Sequence, residues 1–183
     1  TKEITIQMHE LMAKQQITEV IYRYCRGMDR MDRDLTLSCW HPGGTDDHAP
    51  LYKGSAEGFV EWLWPVHAAM EGTRHVVSNI LIEVDGNSAV TESYWNVQLR
   101  LLVDDELTDI QGAGRYVDQF ECISDVWAIR HRTSLSDMIR VDKVTEMSAY
   151  EKPLILPNNL EAKPGISARD FSDYSYEAFK SLG

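Results

Sequence analysis

Cysteine is scarce in this chain, and so is positive charge. The three cysteines, Cys25, Cys39 and Cys122, are too scattered for a disulfide framework and have no CxxC spacing for zinc. An odd, unpaired set suits a reducing compartment, so a cytoplasmic location is expected. Against 29 Asp and Glu stand only 18 Lys and Arg, a formal net charge of −11. Such a chain repels nucleic acid and anionic membranes, and neither is expected as a partner. It does not repel a neutral substrate. No window approaches the apolar length of a membrane span. The stretch TKEITIQMHELMAKQQ lacks a basic region followed by an apolar core, so it is not expected to be a signal peptide. The GAGR at residues 112–115 lacks the lysine and third glycine of a phosphate loop, and no GxSxG elbow occurs. His41, His48 and His67, with Asp46 or Asp47, match no compact ligand spacing, and no metal site is expected.

What remains is an ordinary globular composition, 43% hydrophobic and 26% charged over 183 residues, enough for one domain. Its organising stretch is ITEVIYRYCRGMDRMDRD, residues 17–34. Ile17, Val20, Ile21, Tyr24 and Met28 recur at the spacing of a helix with one buried stripe. A main helix is predicted over about residues 15–31, after a separate short helix over 4–14. Asp29 follows Met28 at the edge of the stripe, where a carboxylate is costly unless paired or used. Asp32 reads as the cap of a second short helix. HPGGTDDHAP reads as a solvated loop and LYKG as a short strand ending at Gly54. SAEGFVEWLWPVHAAM reads as a helix capped by Ser55, with Pro65 expected to kink it or end its first part. From His75 the period becomes two. Turn signals at Asp85-Gly86-Asn87 and Ser124-Asp125 divide about four long antiparallel strands. Helices followed by a meander give an α+β class. Residues 144–183, with Pro153, Pro157 and Pro164, read as an extended arm with a last helix near 170–182. Its aromatic residues, Tyr150, Phe171, Tyr174, Tyr176 and Phe179, imply that it packs on something.

His75 opens the first long strand and faces the end of the main helix, where Asp29 is its natural partner. A His–Asp pair makes a general base, the carboxylate fixing the tautomer. The same pair also reads as a structural helix-to-strand hydrogen bond. Cys25 reads as a small core residue rather than a nucleophile. Along residues 92–100, Ser93, Trp95 and Val97 share one face and Tyr94, Asn96 and Gln98 the other. Either face can line a cavity, Trp95 suiting an aromatic or polycyclic ligand and the Asn96 set a hydroxylated one. Arg115 is a candidate cation for a developing anion, or a partner of Asp118 or Glu92. His131 and Arg132 point to opposite faces, so at most one reaches the cavity.

The pieces ITEVIYRYCRGMDRMD, LYKGSAEGFVEWLWP, TRHVVSN, GAGRYVDQFE and VWAIRHR, in this order, resemble the SnoaL-like branch of the nuclear transport factor 2-like superfamily. That group includes hexachlorocyclohexane dehydrochlorinase, scytalone dehydratase and bile-acid 7α-dehydratase. The resemblance implies a cone-shaped α+β barrel, with N-terminal helices on a strongly curved antiparallel or mixed sheet that encloses an apolar pocket. It implies residues 1–143 as the catalytic domain, with 144–183 closing the pocket or crossing to a neighbouring subunit. It implies a lyase with no cofactor and a homo-oligomer, trimer favoured and dimer possible. The dyad falls on Asp29 and His75. The dehydrochlorinase lysine aligns near Tyr24, and the dehydratase tyrosine before the aspartate is Met28 here. Tyr22, Tyr24, Tyr52, Trp64, Trp95, Asn96, Arg115 and His131 are the candidate substrate contacts. The expected function is elimination of water, or retro-aldol release of a small carbonyl, from a small aromatic or polycyclic molecule. A steroid or polyketide isomerase or cyclase is the first alternative. Others are a non-catalytic ligand-binding or dioxygenase small-subunit-like module and a structural oligomerisation domain.

Overall fold

The computed structural model describes residues 2–145, 154–156, 160–162 and 167–181. Helix α1 (Lys2–Asp29) is continuous, where two helices were predicted. No glycine or proline interrupts residues 2–26, so nothing in the backbone forces a break near residue 14. Its buried stripe begins at Ala13 and runs through Ile17, Val20, Ile21, Tyr24 and Met28. Earlier apolar residues, Ile4, Ile6, Met8, Leu11 and Met12, are exposed. Asp32 caps α2 (Arg33–Leu37), its Oδ1 accepting from the Leu35 N–H at 3.0 Å.

The stretch predicted as a loop is strand β1 (Trp40–His48). It pairs in parallel with a distant strand and antiparallel with β2 (Tyr52–Ser55). Its turn-like residues Pro42, Gly43 and Gly44 fall in a register shift between Trp40 and Thr45, with Gly43 at φ +76°. Ser55 caps α3 (Ala56–Ala68) by accepting from the Gly58 N–H at 3.1 Å. Pro65 lies within α3 rather than ending it. Burial of Phe59, Val60, Leu63 and His67 on one face holds both sides of the proline in place.

Four long strands follow: β3 (Gly72–Asp85), β4 (Ser88–Val103), β5 (Glu106–Ile123) and β6 (Val126–Lys143). The β4–β5 and β5–β6 turns place Asp104, Asp105, Ser124 and Asp125 at positive φ, the backbone that suits tight right-twisted hairpins. The sheet order is β2-β1-β6-β5-β4-β3, with only β1–β6 parallel, so the sheet is mixed. It curves around α1 and α3 and does not close, giving the α+β architecture that the sequence implied. A bulge between Ser78 and Leu81, with Asn79 at φ 49°, switches which residues of β3 face inward. His75 and Val77 face the core before it, Ile80, Ile82 and Val84 after it.

Beyond Lys143, β7 (Leu154–Leu156) pairs with β8 (Leu160–Ala162), and α4 (Tyr174–Lys180) follows. Tyr176 donates to Asp32 Oδ2 at 2.8 Å, and the Arg26 guanidinium lies 4.5 Å from its ring centroid. Phe171, Tyr174 and Phe179 are exposed, the Phe179 ring lying 5.1 Å from the Arg26 guanidinium, and Tyr176 is the half-buried aromatic residue of α4. Tyr150, Pro153, Pro157 and Pro164 lie outside the described residues.

Candidate active site

The last residue of α1 and the fourth residue of β3 meet. His75 Nδ1 lies 2.7 Å from Asp29 Oδ1, and the His75 backbone N–H donates to Asp29 Oδ2 at 2.8 Å. Both carboxylate oxygens are therefore occupied by one residue. The side chains are 13% (Asp29) and 8% (His75) exposed, so the pair is shielded but reachable. With Nδ1 donating to the carboxylate, Nε2 is left as the free basic nitrogen. The ring of His67, on α3, stacks on that of His75 at 6.0 Å between centroids. Burial, then the nearby His75 and Arg169, pushes the His67 pKa down to about 3, so this ring is neutral. Its Nδ1 is buried without a protein partner. Arg169 donates to the carbonyl of His67 at 3.0 Å, to that of Met70, and to Thr73 Oγ1 at 3.3 Å, holding the α3–β3 connection that leads to His75.

These groups border a cavity of about 360 Å³. Its walls are mainly apolar, including Trp62, Leu63, Trp95, Val97, Leu99 and Tyr116, and His48, His67 and His75 all contribute to the lining. Gly112 also lines it. The GAG of residues 112–114 serves the cavity wall: a Cβ on Gly114 would meet the Trp95 ring at 2.6 Å and the Leu135 carbonyl at 2.0 Å. Glycine there lets the indole lie flat across β5. The Trp95 Nε1 is buried without a partner.

Behind the cavity lies a buried polar row that the sequence did not reveal. Arg132 is fully buried and grips Asp118 through Nε at 2.8 Å and Nη2 at 2.7 Å. Its guanidinium lies 4.3 Å from the Tyr24 ring and 4.0 Å from the Tyr116 ring. Burial opposes its charge, but the Asp118 carboxylate holds its pKa well above the ordinary arginine value. Burial raises the phenols of Tyr24 and Tyr116, against the pull of Arg132, so both are neutral. Asp46 is paired in register with Arg132 across β1 and β6, and its Oδ1 is hydrogen-bonded to His48 Nδ1. The signal for this second pair was the Asp46–His48 spacing, since residues two apart share one face of a strand. Burial pushes the Cys25 thiol up to about 12, so it is no thiolate nucleophile and packs as a small core residue.

Of the sequence-derived contacts, His75, Tyr24 and Trp95 line the cavity. The others do not. Tyr22 is exposed on α1. Tyr52 donates to the Ser55 carbonyl at 3.0 Å and stacks behind Trp62 at 5.9 Å. Trp64 packs against the core beside the cavity. Asn96 is exposed, because β4 turns its Ser93, Trp95 and Val97 face inward. Arg115 pairs with Glu92 at 3.1 Å and Asp137 at 3.7 Å on the other face of β5. His131 is held by Thr45 Oγ1 at 2.8 Å and Thr133 Oγ1 at 3.1 Å, and its neighbour Arg132 is the inward residue. Among the described residues, no group of three or more His, Cys, Asp and Glu side chains is placed to hold a metal ion. No described helix is long and apolar enough to cross a membrane.

The SnoaL-like domain model matches residues 9–133. No curated protein sequence matches the chain. Among solved structures, the fold is similar to a putative scytalone dehydratase from Novosphingobium aromaticivorans, with a TM-score of 0.65 and 19% identity over 72% of this chain and 88% of that one. It is similar to a hexachlorocyclohexane dehydrochlorinase from Novosphingobium barchaimii, with a TM-score of 0.67 and 13% identity over 77% and 96%. It is also similar to a putative aromatic ring hydroxylase from N. aromaticivorans, with a TM-score of 0.63 and 18% identity over 73% and 94%.

Proposed function

Because this chain belongs to the SnoaL-like domain family, whose fold it shares with a dehydratase-like protein and a dehydrochlorinase, we propose that it is a cofactor-independent lyase. His75 removes a proton from a small aromatic or polycyclic substrate, and Asp29 orients the ring and stabilises the imidazolium that forms. Elimination of water is the favoured outcome. Retro-aldol release of a small carbonyl uses the same base, acting on a hydroxyl instead of a carbon. The observation that carries the reading is the 2.7 Å bond between His75 Nδ1 and Asp29 Oδ1, at the wall of an apolar cavity. In such surroundings the field of the carboxylate is weakly screened.

A panel of hydroxylated aromatic and alicyclic compounds, followed by mass spectrometry, tests it. Loss of one water marks a dehydratase, release of an aldehyde marks retro-aldol cleavage, and unchanged mass marks an isomerase or cyclase. His75→Ala should lower the rate about 10²–10⁴-fold, and Asp29→Asn should also lower it. Full activity in His75→Ala would sink the base assignment. We also propose a homo-oligomer, trimer favoured, in the cytoplasm. Exposed apolar residues at the end of β6, Met138 on one face and Ile139 and Val141 at the cavity rim on the other, support cover by a second copy, and Cys25, Cys39 and Cys122 are all free thiols. Light scattering on the purified protein reads the oligomer directly.

A further inference from the structure

The cavity is faced by two carboxylate-backed imidazoles, not one. His48 closes β1, and its Nδ1 is bonded to Asp46 Oδ1 in the way that His75 is bonded to Asp29. Its ring is clamped flat on Phe59, centroids 4.5 Å apart and 15° between planes, and leans on Tyr116 at 6.2 Å. With Nδ1 taken, Nε2 is the nitrogen left to serve the cavity that His48 lines. The Asp46 side chain has no exposure, and its second oxygen is buried without a partner. A purely structural role for this strand does not call for a buried carboxylate with one oxygen left unpaired.

The two pairs differ in their electrostatic surroundings. Asp46, Arg132 and Asp118 lie side by side in register across β1, β6 and β5. That row holds two carboxylates and one guanidinium, a net negative charge beside His48. His75 has one carboxylate, Asp29, with the Arg169 guanidinium near it and the neutral ring of His67 stacked alongside. The charge behind His48 is thus net negative and that behind His75 is balanced, and this difference divides the donor and acceptor roles between them.

We propose that His48, held by Asp46, is the acid that protonates the departing group. This rests on the elimination reading and narrows its substrate class. A halide leaves as a stable anion and needs no proton. A hydroxyl leaves a carbon readily only as water, so a second, protonated imidazole fits an alcohol substrate. In the step, His75 Nε2 takes the proton from carbon. The electron pair of that C–H bond becomes the new C=C bond as the C–O bond breaks, and the oxygen leaves with the proton from His48 Nε2. Alkene and water depart. His75 has gained one proton and His48 has lost one, and solvent restores both.

Two ketone probes that give the same enone separate the roles. The aldol of benzaldehyde and acetone loses water. Its nitrophenyl ether loses nitrophenolate, which needs no acid. Enone absorbance reads both. His48→Asn keeps an amide donor for Asp46 but carries no transferable proton. It should slow the aldol about 10²-fold more than the ether, whereas His75→Ala should slow both by similar factors. The ether reaction also reports that each variant is folded, and circular dichroism checks this independently. If His48→Asn slows the two probes equally, or slows neither, the proposal falls while the base assignment stands. If the wild-type protein converts neither probe, the elimination reading falls and takes this proposal with it.

Discussion

Replacing His67 with glutamine should make the fold less sensitive to acid. His67 is 5% exposed and its Nδ1 has no partner. Burial, with His75 and Arg169 close by, sets its pKa at about 3 instead of the ordinary 6.5. The folded protein thus resists a proton that the unfolded chain accepts. For a histidine with a depressed folded value, stability is intact above pH 6.5 and is lost as pH falls below it, the loss levelling near pH 3. At about pH 4.5 the unfolded ring is almost wholly protonated and the folded ring almost wholly neutral. Linkage then gives a loss of roughly 3 kcal/mol, against almost none at pH 7. Wild type should therefore lose roughly 2–3 kcal/mol more than His67→Gln between these two conditions. Urea unfolding followed by tryptophan fluorescence at both pH values measures it. Carboxylates titrate in both proteins and cancel in the difference, as does any constant cost of the substitution. If the two proteins lose the same stability on acidification, the buried neutral ring is refuted.

Two further substitutions probe the scaffold behind the site. Arg132→Met strands Asp118 as a buried, unpaired carboxylate and should cost about 3–5 kcal/mol, while adding Asp118→Leu should recover most of it; chemical denaturation of both variants checks this. Gly114→Ala drives a methyl into the Trp95 ring and the Leu135 carbonyl, and should cost about 1–3 kcal/mol or more, seen as a lowered Tm and altered tryptophan fluorescence.

The sequence and the structure agree where the chain repeats a local period. The stripe of Ile17, Val20, Ile21, Tyr24 and Met28 on α1 and the alternation around Trp95 on β4 are short-range patterns, and both survive folding. Asp32 and Ser55 cap as read, because a cap is decided within three residues. β1 failed for the opposite reason. Its partner β6 lies some eighty residues away, and parallel pairing leaves no local signature in HPGGTDDHAP. With β1 read as a loop, Asp46 and His48 had no face to occupy. The choice between His131 and Arg132 likewise depends on which side of β6 is concave, which only the assembled sheet decides. Asn96 and Arg115 were chosen for their chemistry, but the strands turn that face outward.

Asp29 binds the same histidine twice, once through the ring and once through the backbone. Turning the imidazole over would break its bond to a carboxylate that the backbone N–H holds in place. A proton captured at Nε2 therefore leaves by the cavity, through the space that the substrate itself fills. Bound product is in effect a cork in the neck of the base. Recharging must wait until the cork is drawn, so the order of events is written into the geometry: chemistry, departure, reset. In heavy water, a hydrogen taken from a substrate still seated in the pocket should return to it more often than it exchanges with solvent.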